Sequence, residues 1–142
     1  MPNYNGIENI TQEFLSMIKL PEKSGRELKY LMVMPTLAPD ADSQYGFPVG
    51  LALVTAALKV SKREVFTLNL NYKSEPIELL RHYIIDNRID VIMTGGVSSQ
   101  YLNIKTIIDT AKEAMPDIIA IVGGAIITAD PPSAMRALEN AD

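Results

Sequence analysis

The stretch Ile118–Pro132, IIAIVGGAIITADPP, decides the fold. Its apolar run, Ile118–Val122, is short, rich in β-branched residues and ended by Gly123-Gly124, which predicts a strand buried on both faces. In an open parallel sheet, ligands bind at the carboxyl ends of the strands. Because the two glycines lack Cβ atoms, we expect a bare patch of backbone there that a ligand can approach closely.

Upstream of this stretch, strands and helices are predicted to alternate. The predicted strands are Leu28–Met34, Glu64–Leu70 and Asp90–Thr94, and the predicted helices are Pro48–Val60, Glu75 to about Asn87, and Asn103–Met115. This alternation indicates a three-layer Rossmann-like (flavodoxin-like) α/β fold with a parallel sheet. Right-handed crossovers favour the strand order 2-1-3-4.

The α/β domain is predicted to span residues 28–142, behind an N-terminal extension of residues 1–27. Within the extension, residues 7–19 have the pattern of an amphipathic helix. Its apolar face is formed by Ile7, Ile10, Phe14, Met17 and Ile18. A fifth strand is expected to begin where the sequence stops at Asp142, so we interpret the domain as a fragment of a longer protein.

Three helix features are also predicted. Ser74 is expected to cap the helix that starts at Glu75-Pro76, and Asp130 to cap a last helix with Pro131 in its first turn. Helix 48–60 is apolar nearly all round, and such a helix is usually covered on more than one side. A partner-docking domain with no small ligand is therefore one interpretation of the sequence.

Composition and charge exclude several classes of protein. The chain has 142 residues, a net charge of −4 and a pI near 5.0, which argue against a nucleic-acid partner. It has no apolar run near the roughly 20 residues of a membrane helix and no signal peptide, so the cytoplasm is the expected compartment. The absence of cysteine excludes disulfides, thiolate catalysis and an iron–sulfur cluster on this polypeptide.

The loops at the predicted ligand edge narrow the choice of ligand. The loop 35–47, PTLAPDADSQYGF, has one glycine, so it lacks both the dinucleotide GxGxxG motif and a Walker lysine. The third strand ends in Thr94-Gly95 instead of the aspartate of a phospho-acceptor domain. A flavin mononucleotide site would need a phosphate loop rich in hydroxyl groups after the first strand, and this loop offers only Thr36 and Ser43. Flavin mononucleotide stays open as an alternative ligand.

No catalytic or metal-binding set is predicted. His82, the single histidine, is expected at the surface of a helix away from these loops. Asp40 and Asp42 are interpreted as a solvated pair, and Ser98 and Ser99 have no nearby histidine to activate them. Glycine pairs at two adjacent strand ends, Gly95-Gly96 and Gly123-Gly124, allow tight packing or a crevice with flat walls, and their repetition favours the crevice.

Four motifs give the chain a family resemblance. They are MPTLAP (34–39), FPVGLALVTAALK (47–59), DVIMTGGVSS (90–99) and IVGGAIITADPP (121–132). With them, residues 28–142 resemble the N-terminal cobalamin (vitamin B12)-binding domain of radical S-adenosylmethionine enzymes. That group includes cobalamin-dependent methyltransferases and anaerobic magnesium-protoporphyrin monomethyl ester cyclases.

The resemblance implies a set of cobalamin-binding residues. Gly123 and Gly124, followed by Ala125, match the glycine pair that lies against the nucleotide tail of the cofactor. Gly95 stands where related domains often have the serine of an S-x-L motif, with Gly96 next and Val97 in place of the leucine. Ser98 and Ser99 would then supply the hydrogen bonds.

The resemblance also implies how cobalt is held and what the parent enzyme contains. The first loop has no histidine, so cobalt would lack a protein histidine ligand, and Tyr45 and Phe47 would cover the lower corrin face. A following radical S-adenosylmethionine domain in the parent chain would hold a 4Fe–4S cluster and S-adenosylmethionine through a CxxxCxxC motif. This fragment alone would bind the corrinoid but not catalyse.

Overall fold

The computed structural model describes residues 26–35 and 48–142. The predicted helix over 7–19 lies outside these residues, as does most of the first loop. The strands are β1 (Lys29–Met34), β2 (Glu64–Asn69), β3 (Val91–Gly95) and β4 (Ile119–Gly123). The helices are α1 (Val49–Val60), α2 (Pro76–Asn87), α3 (Tyr101–Ala114), α4 (Ala125–Thr128) and α5 (Pro131–Ala137), with a 3-10 turn at Ser98–Gln100.

The four strands form one parallel sheet in the order β2-β1-β3-β4, which confirms the predicted topology and fold class. Helices lie on both faces of this sheet. Because side chains alternate along each strand, Leu31 of β1 and Ile92 of β3 face the larger core, which includes Ile84 of α2 and Ile107 of α3. The three layers predicted from the alternating pattern are therefore present.

The opposite face of the sheet carries a smaller core beneath a single helix. Met32 of β1 and Met93 of β3 belong to this second cluster, against which Leu51 and Leu58 of α1 pack. The helix lies over β1 and β2. One layer is thus only partly filled, and the side of β3 and β4 away from α2 and α3 is less covered than the rest of the sheet.

The point where the chain changes direction across the sheet lies between β1 and β3. Their pairing runs from Tyr30–Val91 to Met32–Met93, although β1 continues to Met34 and β3 to Gly95. The two strands therefore part near their carboxyl ends. A crevice at such a reversal of strand order is where open α/β sheets bind ligands.

The strand predicted to be buried on both faces is buried on only one. In β4, Ala120 is fully buried, but Ile121 on the other face is 40% exposed. The physical reason is its place at the edge of the sheet, beyond the part covered by α1. Along that edge, the amide of Asp142 donates to the carbonyl of Ala120 over 2.9 Å.

Two predictions about helix starts were wrong and one is confirmed. The helix predicted to begin at Asn103 begins at Tyr101, directly after the 3-10 turn Ser98–Gln100. Helix α2 begins at Pro76 after Glu75 without a side-chain cap, so Ser74 does not cap it. Asp130 does cap α5, since its carboxylate accepts the Ser133 amide over 3.2 Å.

Within residues 26–35 and 48–142, no helix is both long and apolar enough to span a bilayer.

Candidate functional site

A cavity of about 490 Å³ opens at the carboxyl ends of β1, β3 and β4, beside the first turn of α1. Its volume falls in the range of about 300 to 1,000 Å³ that is typical of small-molecule pockets. The residues around it come from all four of these elements and the segments that follow them. They are Met32, Met34, Pro35, Pro48, Gly50, Leu51, Val54, Met93, Thr94, Gly95, Gly96, Gln100, Ile121, Gly123 and Gly124.

Gly123 provides open space in this cavity. A Cβ atom built on Gly123 would meet no atom within 4 Å, although the residue lies in the last position of β4. The backbone of Gly123 does not have a positive φ, so its conformation does not require glycine. The missing side chain therefore leaves room for a ligand instead of relieving a contact within the protein.

The other glycines of the two pairs serve packing. A Cβ atom on Gly95 would strike the carbonyl group of Gly123, coming within 2.8 Å of its carbon. A Cβ atom on Gly124, whose φ is +87°, would come within 2.8 Å of the Gly96 carbonyl oxygen. One on Gly96 would collide with the Gln100 amide group. The close approach of the β3 and β4 ends thus depends on Gly95 and Gly124, whereas a Cβ atom on Gly96 would meet only side-chain atoms.

Thr94 is the polar side chain of the cavity lining that lacks a partner. Its residue is 3% exposed, and its hydroxyl group has no hydrogen-bond partner among the described residues. Leaving a buried hydroxyl unpaired costs about 1 to 3 kcal/mol, so a group of this kind calls for a structural or functional explanation. Because side chains alternate along β3, this hydroxyl lies on the face of Ile92, toward the larger core, and not on the face of Met93 that lines the cavity.

The segment after β3 is held by Gln100. The Gln100 side-chain oxygen accepts the Val97 amide over 3.1 Å, and the Gln100 amide donates to the Val97 carbonyl over 2.9 Å. These bonds close the 3-10 turn, which leaves Val97, Ser98 and Ser99 exposed at the rim. The turn therefore presents one apolar and two hydroxyl side chains beside the cavity.

The structure brings only some of the predicted site residues together in the cavity wall. Gly95, Gly96, Gly123 and Gly124 line it. Val97, Ser98, Ser99 and Ala125 lie at the same edge of the sheet without lining it, and Tyr45 and Phe47 lie outside the described residues.

Sequence reasoning missed the part of the wall that comes from the sheet face and α1. Met32, Met93 and Ile121 occupy neighbouring positions of the paired strands β1, β3 and β4, and all three line the cavity. Their common face is a consequence of the strand register. A signal was available, because period-two alternation with the predicted strand order already places them side by side.

None of the described residues that line the cavity has a charged side chain. Among the described residues, no cluster of His, Asp or Glu is arranged to hold a metal ion. His82 is exposed on α2, the helix that packs on the opposite face of the sheet, as expected of a surface residue. Asp130, which directly precedes α5, has a pKa below its ordinary value because its carboxylate accepts hydrogen bonds from Ser133. This agrees with its role as the cap of that helix.

Comparison with known proteins shows a family match. The family model described as the B12 binding domain matches residues 42–142, a range that includes β2 to α5 and most of the cavity wall. No curated protein matches the chain.

Proposed function

The chain belongs to the B12-binding domain family, and from this premise we propose that it is the cobalamin-binding module of a radical S-adenosylmethionine enzyme. Cobalamin is the cofactor that the family match indicates. The proposal concerns which residues hold the corrinoid, how the cobalt is ligated and which enzyme the domain serves.

We place the nucleotide tail of cobalamin in the cavity above Gly123. The observation that carries this proposal is the open space where the Gly123 side chain would be, at the carboxyl end of a central crevice. Apart from Thr94 and Gln100, the lining residues are apolar or glycine, which suits the aromatic base of the tail.

The remaining residues of the site have distinct proposed roles. Gly95 and Gly124 allow the ends of β3 and β4 to lie close enough to form one wall, and Gly96 makes room for the Gln100 side chain beside it. Val97, Ser98, Ser99 and Ala125 lie at the rim, where they would contact the cofactor outside the cavity. Tyr45 and Phe47, by the family resemblance, would cover the lower face of the corrin.

Cobalt is proposed to be held without a histidine of this chain. The single histidine, His82, lies on α2, across the sheet from the cavity. The loop after β1 contains none in its sequence. When bound, cobalamin supplies a cobalt centre that carries a methyl group or tunes neighbouring radical chemistry, while the chain's own residues bind and orient it.

Direct binding tests the proposal. The purified chain at tens of micromolar, a range set by ordinary ligand affinities, is mixed with hydroxocobalamin and passed through gel filtration. We expect the cofactor to co-elute and its visible spectrum to change, whereas flavin mononucleotide under the same conditions should separate from the protein. Co-elution of the flavin alone, or of neither ligand, would overturn the assignment.

Electron paramagnetic resonance tests the cobalt ligand. After reduction to the cob(II)alamin state, an axial nitrogen splits each cobalt line through its nuclear spin. We expect a spectrum without that nitrogen splitting, and the same spectrum from His82→Ala. A nitrogen splitting that disappears in His82→Ala would show that the histidine does bind cobalt.

The radical S-adenosylmethionine partner rests on the sequence resemblance and on the missing histidine ligand. The chain has no cysteine, so an iron–sulfur cluster has to be held by a different domain. The test is to read the gene around this coding sequence for a CxxxCxxC motif and to assay the full product for a 4Fe–4S cluster. A full-length protein with neither would contradict this part of the proposal.

A further inference from the structure

Two rows of residues form the sheet side of the cavity. In the parallel register, Met32 of β1 lies beside Met93 of β3, and Met93 lies beside Ile121 of β4. Two residues further along β3 and β4, Gly95 pairs with Gly123. Because every second residue of a strand faces the same way, these residues make an inner apolar row and an outer glycine row, about 7 Å apart.

Helix α1 forms the opposite wall of the cavity and is apolar there as well. Leu51 and Val54 line the cavity, and so does Gly50, where an added Cβ atom would meet nothing within 4 Å. Gly50 has no positive φ, so its backbone conformation does not require glycine. The missing side chains of Gly50 on the helix and Gly123 on the sheet therefore enlarge the cavity from both walls.

The described part of the lining offers few hydrogen-bond partners to a ring inside the cavity. Of its two polar residues, Thr94 has its hydroxyl on the opposite face of the sheet, the face of Ile92. The side-chain oxygen of Gln100 already accepts the Val97 amide over 3.1 Å. Peptide groups of strands lie in the plane of the sheet, so a ring above the inner row meets side chains instead.

We propose that this cavity selects corrinoids by the base of their nucleotide tail, and that it takes an apolar benzimidazole in preference to a purine. This selectivity rests on the proposed cobalamin-binding function and specifies the class of tail that the site accepts. Dimethylbenzimidazole exposes mostly carbon atoms at its edge, whereas adenine carries an exocyclic amine and two more ring nitrogens. Water satisfies these groups in solution, but Met32, Met93 and Ile121 offer at most the weak acceptor of a thioether.

Binding of three corrinoids to the intact chain tests the selectivity. The ligands are hydroxocobalamin, its analogue with adenine in place of dimethylbenzimidazole, and cobinamide, which has no nucleotide. In absorbance titrations, we expect hydroxocobalamin to bind at least about tenfold more tightly than the adenine analogue, because burial leaves the polar groups of the purine unpaired. Cobinamide should also bind more weakly than hydroxocobalamin, since it leaves the cavity unfilled.

The outcomes distinguish the selectivity from cobalamin binding itself. If the adenine analogue binds as tightly as cobalamin or more tightly, and cobinamide binds more weakly than both, the selectivity is wrong while the cobalamin-binding function stands. Equal affinity for all three corrinoids would show that the tail lies outside the cavity, which also overturns the selectivity. If none of the three binds, the function and the selectivity are both wrong.

A glutamine in the inner row should weaken the preference. Glutamine is close to methionine in length, but its amide can donate to and accept from the edge of a purine. Met93→Gln is expected to reduce the ratio of the two affinities at least about fivefold. Met135→Gln makes the same change on α5, where the side chain is 38% exposed and outside the cavity lining, and should keep the wild-type ratio.

A second variant in the same row covers the case in which Met93→Gln does not fold. Met93 is 6% exposed, whereas Ile121 beside it is 40% exposed and tolerates a polar side chain more readily. Ile121→Gln should therefore stay folded, which circular dichroism checks, and should also reduce the ratio of the two affinities. A wild-type ratio in a folded variant of the inner row would overturn the proposal.

Discussion

Gly124 lies against Gly96, and neither residue has room for a side chain there. A Cβ atom on Gly124 would be 2.8 Å from the Gly96 carbonyl oxygen, which already accepts the Ile126 amide over 3.0 Å. The φ of Gly124 is +87°. We expect Gly124→Ala to lower the free energy of unfolding by about 1 to 3 kcal/mol, measured by urea denaturation, since it adds both backbone strain and a clash.

Gly123→Ala is the matched control for this prediction. It changes the neighbouring residue, but its Cβ meets nothing within 4 Å and its backbone has no positive φ. The free energy of unfolding should therefore stay within about 0.5 kcal/mol of the wild type or rise slightly. Equal destabilisation by both substitutions would contradict the different roles assigned to the two glycines.

A larger side chain at Gly123 should separate folding from binding. Leucine at this position would extend into the cavity, so Gly123→Leu is expected to retain the native circular dichroism spectrum while weakening hydroxocobalamin binding at least about tenfold, or about 1.4 kcal/mol. Absorbance titration measures the affinity. Val60→Phe on the exposed end of α1 adds comparable bulk away from the cavity and should bind like the wild type. If Gly123→Leu binds hydroxocobalamin with wild-type affinity, the nucleotide tail does not occupy this cavity.

Thr94 should affect stability without affecting affinity. Valine has nearly the shape of threonine but no hydroxyl, so Thr94→Val removes the buried unpartnered group. We expect the unliganded chain to gain up to about 1 kcal/mol in unfolding free energy. Cobalamin affinity should stay at the wild-type value, because the hydroxyl lies on the face of the sheet opposite Met93 and the cavity. A loss of affinity in Thr94→Val would contradict this placement.

The fold was predictable from the sequence because it depends on local patterns. Apolar runs ended by glycines, separated by helical periodicity, are enough to predict the parallel order β2-β1-β3-β4. Both glycine pairs lie in the wall of the cavity at the carboxyl edge of the sheet, where the sequence predicted a crevice. Their separate roles were not predictable, because Gly95 opposes Gly123 only in the register of β3 with β4, and the positive φ of Gly124 arises from the turn into α4.

The cavity wall and the burial of β4 depended on tertiary structure. Whether Ile121 is covered follows from where α1 lies across the sheet, and periodicity in one helix does not specify that position. The cavity-lining position of Met93 likewise depends on the point where β1 and β3 part. A buried-strand pattern therefore predicted the element correctly and its exposure incorrectly.

Asp90 should be important for stability because it joins the starts of β1 and β3. Its side chain is 3% exposed, and it accepts hydrogen bonds from Arg26 and the Lys29 amide. Asp90→Ala leaves the Lys29 amide unpaired and is expected to cost about 2 to 3 kcal/mol in urea denaturation. Asp90→Asn keeps an acceptor and should cost less. Asp86→Ala, on the exposed side of α2, provides the comparison, and an equal effect at both positions would contradict this role.

Asp142 should make the stability of the domain depend on pH. Burial raises the pKa of its carboxyl group, but hydrogen bonds from the Lys112 ammonium over 2.7 Å and the Ala120 amide over 2.8 Å outweigh it, so the pKa lies below its ordinary value. A carboxylate whose pKa is lowered by folding stabilises the protein above the pKa of the unfolded chain. That contribution is lost as the pH falls through the folded pKa, which places the loss below about pH 5. In urea denaturation, Asp142→Asn should be less stable than the wild type near pH 7, and the difference should shrink toward pH 3. The control Asp86→Asn, at an exposed position of α2, should have the stability of the wild type at each pH. A difference between Asp142→Asn and the wild type that stays constant with pH would contradict the prediction, because the ionised carboxylate would then contribute nothing to stability.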